Sequence, residues 1–345
     1  MRRLPLCGTK DLVWIFAACI GAAVPAAGED ESEAAARTEW GAPDLRGVWD
    51  YRTITPLERP FALKDKDVLS EEEAAVFREQ TLSRLDFDNR EGGARIDVER
   101  AYNDFWWDWG DELTADRRSS LIIDPPDGRI PSMTEAAKAA MKSSRQSGEG
   151  PVRGLVVIGS KAHGPEDLGL SERCLLGFNA GPPMLPSAYN NNVQIFQTED
   201  TVAILNEMVH QARVVPLDDR SRPADDVRQW LGVPRGHWDG DTLVVESQAF
   251  TDKTPSFTTI IGALGSAESL HLVERFTRVA DDTLLYEFTV DDPSTFTREF
   301  SAAIPMRAAT EPLYEYACHE GNYGMFNLLR GARAKEAEAA GREPG

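Results

Sequence analysis

The chain has 345 residues, of which 57 are acidic and 37 basic, for a formal charge of −20. So acidic a surface repels phosphate backbones and anionic membranes, which argues against nucleic acid as a partner. The length suits one large domain, or a barrel with an inserted subdomain.

The N-terminus carries the three parts of a secretory signal. Met1-Arg2-Arg3 and Lys10 are basic, Leu12 to Val24 is apolar, and Pro25-Ala26-Ala27 supplies small residues before an acidic stretch from Glu29. Residues 1–27 are therefore expected to be a signal peptide, with the mature chain beginning near Ala27 or Gly28 in the periplasm or outside the cell. The apolar run is shorter than the ~20 residues a membrane helix needs, and no other segment reads as a membrane span. Phe16-Ala17-Ala18-Cys19 offers a weaker alternative, a lipoprotein anchored at Cys19. Residues 28–43 read as a polar linker.

A single domain is expected over 44–333. Leu45 to Tyr51 forms its first strand, and a mainly helical insertion follows over about 66–150. Ser70-Glu-Glu-Glu73 is a capping box, with Phe77, Thr81 and Leu85 following at helical spacing. A second helix starts at Thr134 and ends before Gly148. Between them lie an aromatic knot, Tyr102 to Trp109, expected to plug or cover a barrel, and a Pro/Gly turn, Asp124 to Pro131.

From Leu155 onward the pattern is that of strands: 155–159, 193–198, 201–215, 241–248, 270–279, 283–291, 295–303 and 313–318. Asp239-Gly240 is a hairpin signal, and Ala280 to Asp282 and Asp291 to Ser294 carry turn chemistry. Strands joined so tightly form an antiparallel meander. The predicted fold is mainly β, an antiparallel up-and-down, lipocalin-like barrel or strongly curled sheet with a mainly helical insertion. Residues 334–345 read as a disordered tail.

Cys7 and Cys19 lie in the signal, which leaves Cys174 and Cys318. Two cysteines in an oxidising compartment predict one disulfide, the alternative being two buried thiols. No Cys-x-x-Cys and no histidine pair at ligand spacing occurs, so no metal is expected.

Tyr314-Glu-Tyr-Ala-Cys-His-Glu-Gly-Asn-Tyr323 is densest in chemistry. As a strand it puts Glu315, Ala317 and His319 on one face, opposite Tyr316 and Cys318. Carboxylate and imidazole on one face orient a general base; a strand-end histidine beside exposed acids is the bland reading. Glu274 shares an otherwise apolar face with Leu270, Leu272 and Phe276, while Arg275 and His271 occupy the other. A carboxylate there requires a partner or a proton. The 201–215 run carries Asn206 and His210 on one face and Glu207, Gln211 and Arg213 on the other, either a polar cluster lining a lumen or a Glu207–Arg213 face under the insertion. Asn190 to Asn192 reads as a turn tract, His237 as structural and His163 as a loop residue.

Gly47-Val48-Trp49 resembles the Gly-x-Trp start of lipocalins. Ser120 to Pro131, Ala188 to Asn192, Gly236 to Glu246, Leu270 to Phe276 and Tyr314 to Tyr323 together resemble a family of exported bacterial proteins. That resemblance implies a natural single unit and supplies no activity.

The chain lacks a Gly-x-Ser-x-Gly elbow, a Walker loop, a dinucleotide fingerprint, His-Glu-x-x-His and Cys-x-x-Cys-His. The function expected is cofactor-free acid–base chemistry, of lyase, isomerase or hydrolase type, on a small apolar or aromatic molecule in the barrel cavity. His319, Glu274, Glu315 and His210 are expected to converge there as catalytic groups. Tyr316 and Tyr323 would bond a developing oxyanion, and Asn206, Arg275 and His271 would bind. A non-catalytic carrier and an envelope scaffold are the alternatives.

Overall fold

The computed structural model describes residues 36–89, 93, 95, 103–147, 150–155, 162–224, 226–259 and 262–341. The expected signal peptide, half of the expected linker and nearly all of the strand expected over 155–159 lie outside these residues.

Twelve strands are present: β1 (Gly47–Asp50), β2 (Ile122–Asp124), β3 (Asn192–Gln197), β4 (Thr201–Asn206), β5 (Ala212–Pro216), β6 (Val233–Asp239), β7 (Thr242–Gln248), β8 (Phe257–Thr259), β9 (Gly262–Leu264), β10 (His271–Ala280), β11 (Thr283–Asp291) and β12 (Phe300–Ala308). Three helices among the described residues, α1 (Glu71–Leu85), α2 (Glu135–Ser147) and α3 (Tyr323–Ala339), accompany them. Nine strands run antiparallel in the order β5-β4-β3-β1-β12-β11-β10-β7-β6 and curl into a nearly closed barrel. β2 adds to the edge of β12, and β8 and β9 make a separate hairpin. The predicted fold class is correct.

The barrel forms because its strands alternate. Along β11, Leu284, Tyr286, Phe288 and Val290 are buried while the residues between them are half-buried. Matching inward faces on β3, β4, β10 and β12 join Trp49, Leu243 and Val245 in one apolar cluster, so side chains pack the interior. Each fully buried Leu, Ile or Phe contributes about 1.5–3 kcal/mol.

Register gives the two ends different characters. At one end the connections are short, with Gly240-Asp241 joining β6 to β7 and Asp281-Asp282 joining β10 to β11. Gly240 has φ +60°, as such a turn requires. The long connections over 51–191, 249–270 and 292–299 and the β4–β5 turn all gather at the other end.

The barrel's seam lies between β5 and β6, which run side by side with no ladder between them among the described residues. Gly236 permits that approach, since a Cβ there would sit 2.6 Å from Leu217 Cδ2 and 2.9 Å from Val215 Cγ1. Gly236→Val is expected to wedge the seam and cost about 1–3 kcal/mol. Urea unfolding measures this, and an unchanged midpoint would show that the seam is loose.

Local readings fared unevenly. The capping box of α1 is complete, with Glu73 N–H on Ser70 Oγ and Ser70 N–H on Glu73 Oε2. The strand expected over 201–215 is two strands, because the chain reverses at Met208–His210. Segment 313–318 is not a strand. Both edges of the preceding strand β12 are occupied, one by β11 and the other by β1 and β2. Residues 36–43 form a turn, not a free linker, and Gln197 Nε2 bonds the Pro43 carbonyl at 3.0 Å. The tail expected to be disordered is helical through Ala339, because Ala, Glu, Lys and Arg favour helix even where nothing is buried. The aromatic knot does not plug the barrel. Trp107 stacks between Phe87 and Trp109 outside it, and Phe105 and Trp106 are exposed.

Candidate functional site

Glu274 is completely buried inside the barrel. Arg213 of β5 grips it with two N–H groups, Nη1 to Oε2 and Nη2 to Oε1 at 2.9 Å. The Tyr286 hydroxyl of β11 donates to Oε1 at 2.8 Å and accepts from the Met184 N–H at 3.1 Å. Burial opposes the charge of Arg213, yet the adjacent carboxylate outweighs it and holds the guanidinium above its ordinary pKa. Burial, and then the charge of Glu274, push the Tyr286 hydroxyl far up. A Glu207–Arg213 face under the insertion does not form, since Arg213 points into the barrel to Glu274.

The expected convergence of Glu274, His319, Glu315 and His210 is also corrected. Glu274 is sealed in the core, while Glu315, His319 and His210 are exposed. With no strand over 313–318, that segment has no inward face to present. Asn206 is buried, with Nδ2 on the Ala180 carbonyl at 3.1 Å and Oδ1 unpartnered. On the barrel's outer surface Arg275 pairs with Asp239 at 2.9 Å and His271 meets Glu246 at 3.3 Å. Tyr323 is 74% exposed at the start of α3.

The structure does bring His210 and His319 together, with ring centroids 6.3 Å apart. His210 projects from the β4–β5 turn at the long-loop end, and His319 from the C-terminal segment laid against it. His210 Nδ1 lies 2.9 Å from the Tyr316 carbonyl. A carbonyl only accepts, so Nδ1 donates, and in the neutral ring that tautomer leaves the lone pair on Nε2. Three further ties hold the segment. The Tyr314 N–H donates to Glu207 Oε1 at 3.3 Å, Asn322 Nδ2 donates to the Glu172 carbonyl at 2.7 Å, and Cys174 and Cys318 form the predicted disulfide. Glu207 is itself fixed by Asn192 Nδ2 at 2.9 Å.

Backbone strain concentrates here. Cys174 (φ 56°), Asn190 (φ 54°), Val209 (φ 60°) and His210 (φ 42°) are left-handed, and they are four of the six such non-glycine residues described. For a β-branched valine this is a true outlier, and such strain clusters at working sites. Asn190 fits the turn tract read from sequence, and its neighbour Asn191 is buried with its amide fully bonded.

Phe178, which packs against the buried cluster of Cys174, Met208 and Val209, contacts Tyr189 edge-on at 5.2 Å and also lines an apolar cavity of about 40 Å³. Trp230, Phe257 and Leu185 are among its walls, and Ser256 lines it with a buried hydroxyl that has no partner among the described residues. Sequence reading missed Ser256, because one serine among turn residues gives no signal. Among the described residues no group of three or more His, Cys, Asp or Glu could hold a metal, and no helix is long and apolar enough to cross a membrane.

Fold and site define a nearly closed antiparallel β-barrel with a packed interior, whose paired histidines stand on the loops of one end. No family model, curated protein or solved structure matches the chain.

Proposed function

We propose that the protein works outside the cytoplasm as a cofactor-free acid–base enzyme, on a small molecule held at the long-loop end of the barrel. The observation that carries this reading is His210, held on a strained turn with Nδ1 tied to the Tyr316 carbonyl and its ring beside His319. A neutral imidazole in that tautomer takes a proton at Nε2, and a second imidazole returns one to another atom of the substrate. Such a transfer serves an isomerase, a lyase or, with water, a hydrolase. Glu274 has no direct part in it; its ion pair holds the barrel that carries the turn. The cavity by Ser256 fits a short apolar substituent with one polar atom, which supports a small, largely apolar substrate. The disulfide fits an oxidising compartment and so supports export.

Incubation of the purified protein with fractionated envelope extract, read by differential mass spectrometry, tests this. Wild type is expected to convert a compound to an isomer, or to products differing by water. His210→Ala and His319→Ala should each slow conversion by about 10²–10⁴-fold, and His163→Ala should not. Retention of a compound without conversion would replace the enzyme with a carrier, and full activity in either histidine variant would remove the pair from the mechanism.

A further inference from the structure

We propose a second binding site, for a small organic carboxylate with an apolar body, in the cavity beside His271. The cavity measures about 320 Å³, a size typical of small-molecule sites. It lies at the same end of the barrel as the histidine pair and is independent of it. Arg222 and Arg228 line it with one carboxylate among the described residues, Glu268, whose Oε1 is 4.0 Å from Arg228 Nη2. Arg222 donates Nη1 to the Val233 carbonyl and has no carboxylate partner among the described residues. The imidazole of His271 adds a third polar group, while Val227, Val233 and Leu270 supply the apolar wall.

In a chain of net charge −20, this cavity brings two guanidiniums together with one lining carboxylate among the described residues, a second carboxylate, Glu246, being held by His271. A neighbour registers that field. Burial, and then the charges of Arg222 and Arg220, hold the Arg235 guanidinium below its ordinary pKa in spite of Asp218. The planar fork of an arginine matches a carboxylate with two parallel N–H bonds. The apolar wall favours a ligand with a hydrocarbon body over an inorganic anion, which has nothing to bury there. Arg228 also donates to the Phe250 and Glu268 carbonyls, which fixes the segment bearing both arginines against the barrel.

Titration of the full chain with benzoate, benzamide and inorganic phosphate, followed by calorimetry, tests the site. Benzoate is expected to bind roughly tenfold or more tightly than its neutral isostere benzamide, and than phosphate. Arg222→Gln should weaken benzoate roughly tenfold, and Arg222→Lys should restore part of the loss, because it keeps the charge without the fork. A thermal melt of each variant separates lost binding from lost fold. Equal binding of benzoate and phosphate, benzoate binding unchanged in Arg222→Gln, or no benzoate binding to the wild type would each overturn the proposal.

Discussion

Glu274→Ala is expected to remove about 3–5 kcal/mol of unfolding free energy, the usual cost of leaving one member of a buried ion pair uncompensated. The carboxylate accepts three hydrogen bonds, two from Arg213 and one from Tyr286. Without it the guanidinium, only 1% exposed, keeps its charge in an apolar interior, and its Nε already lacks a partner. The pair also reaches across the barrel from β5, at the seam, to β10, so its loss removes a tie where no ladder exists. Replacing both partners, as Arg213→Met with Glu274→Leu, should recover at least half of the loss, because apolar pairs of similar volume substitute well for buried ions. Urea unfolding of the three variants measures this. A loss below about 1 kcal/mol for Glu274→Ala would mean that water reaches the pair.

Cys318→Ser should produce the second large effect. The disulfide joins residues 144 apart, for which the chain-entropy model gives about 5 kcal/mol. That figure is an upper bound, because the segment it anchors is largely exposed and has few other ties among the described residues. The segment should therefore detach before the barrel unfolds. Chymotrypsin should cut at Tyr314 or Tyr316 in the variant but not in the oxidised wild type, and the melting temperature should fall. Detachment also takes His319 away from His210, so any conversion that depends on the pair should be lost with it. Equal melting and equal resistance to chymotrypsin would show that the noncovalent ties alone hold the segment.

The parts of the fold legible in the sequence are those encoded locally. The alternation over 283–291 matches β11 residue for residue, and Ser70 and Glu73 announced the start of α1. β6 escaped notice because Pro234 and Gly236 break its pattern, as suits a strand at an edge. The 313–318 segment misled for the opposite reason. Its alternation is real, but the pattern says which faces a strand would have and not whether an edge is free to pair. Of the candidate site, His210 and His319 were legible as polar groups among apolar neighbours. That the two would meet was expected, but inside the barrel with Glu274; the structure instead sets them on exposed loops, 109 positions apart in the chain.

The sequence by itself determined the class of fold, the position of several strands and, once Cys7 and Cys19 were assigned to an expected signal, the disulfide pair. Each follows from periodicity or from counting, which need no knowledge of distant contacts. Only the tertiary structure decided that Glu274 takes Arg213 as its partner and that the chain reverses at Val209 and His210. It also placed the long connections at one end and showed side chains packing the interior. These outcomes depend on strand order and register, which arise from the joint packing of segments up to hundreds of residues apart. A side chain's local pattern gives the face it occupies, and the neighbour across the barrel gives it its role.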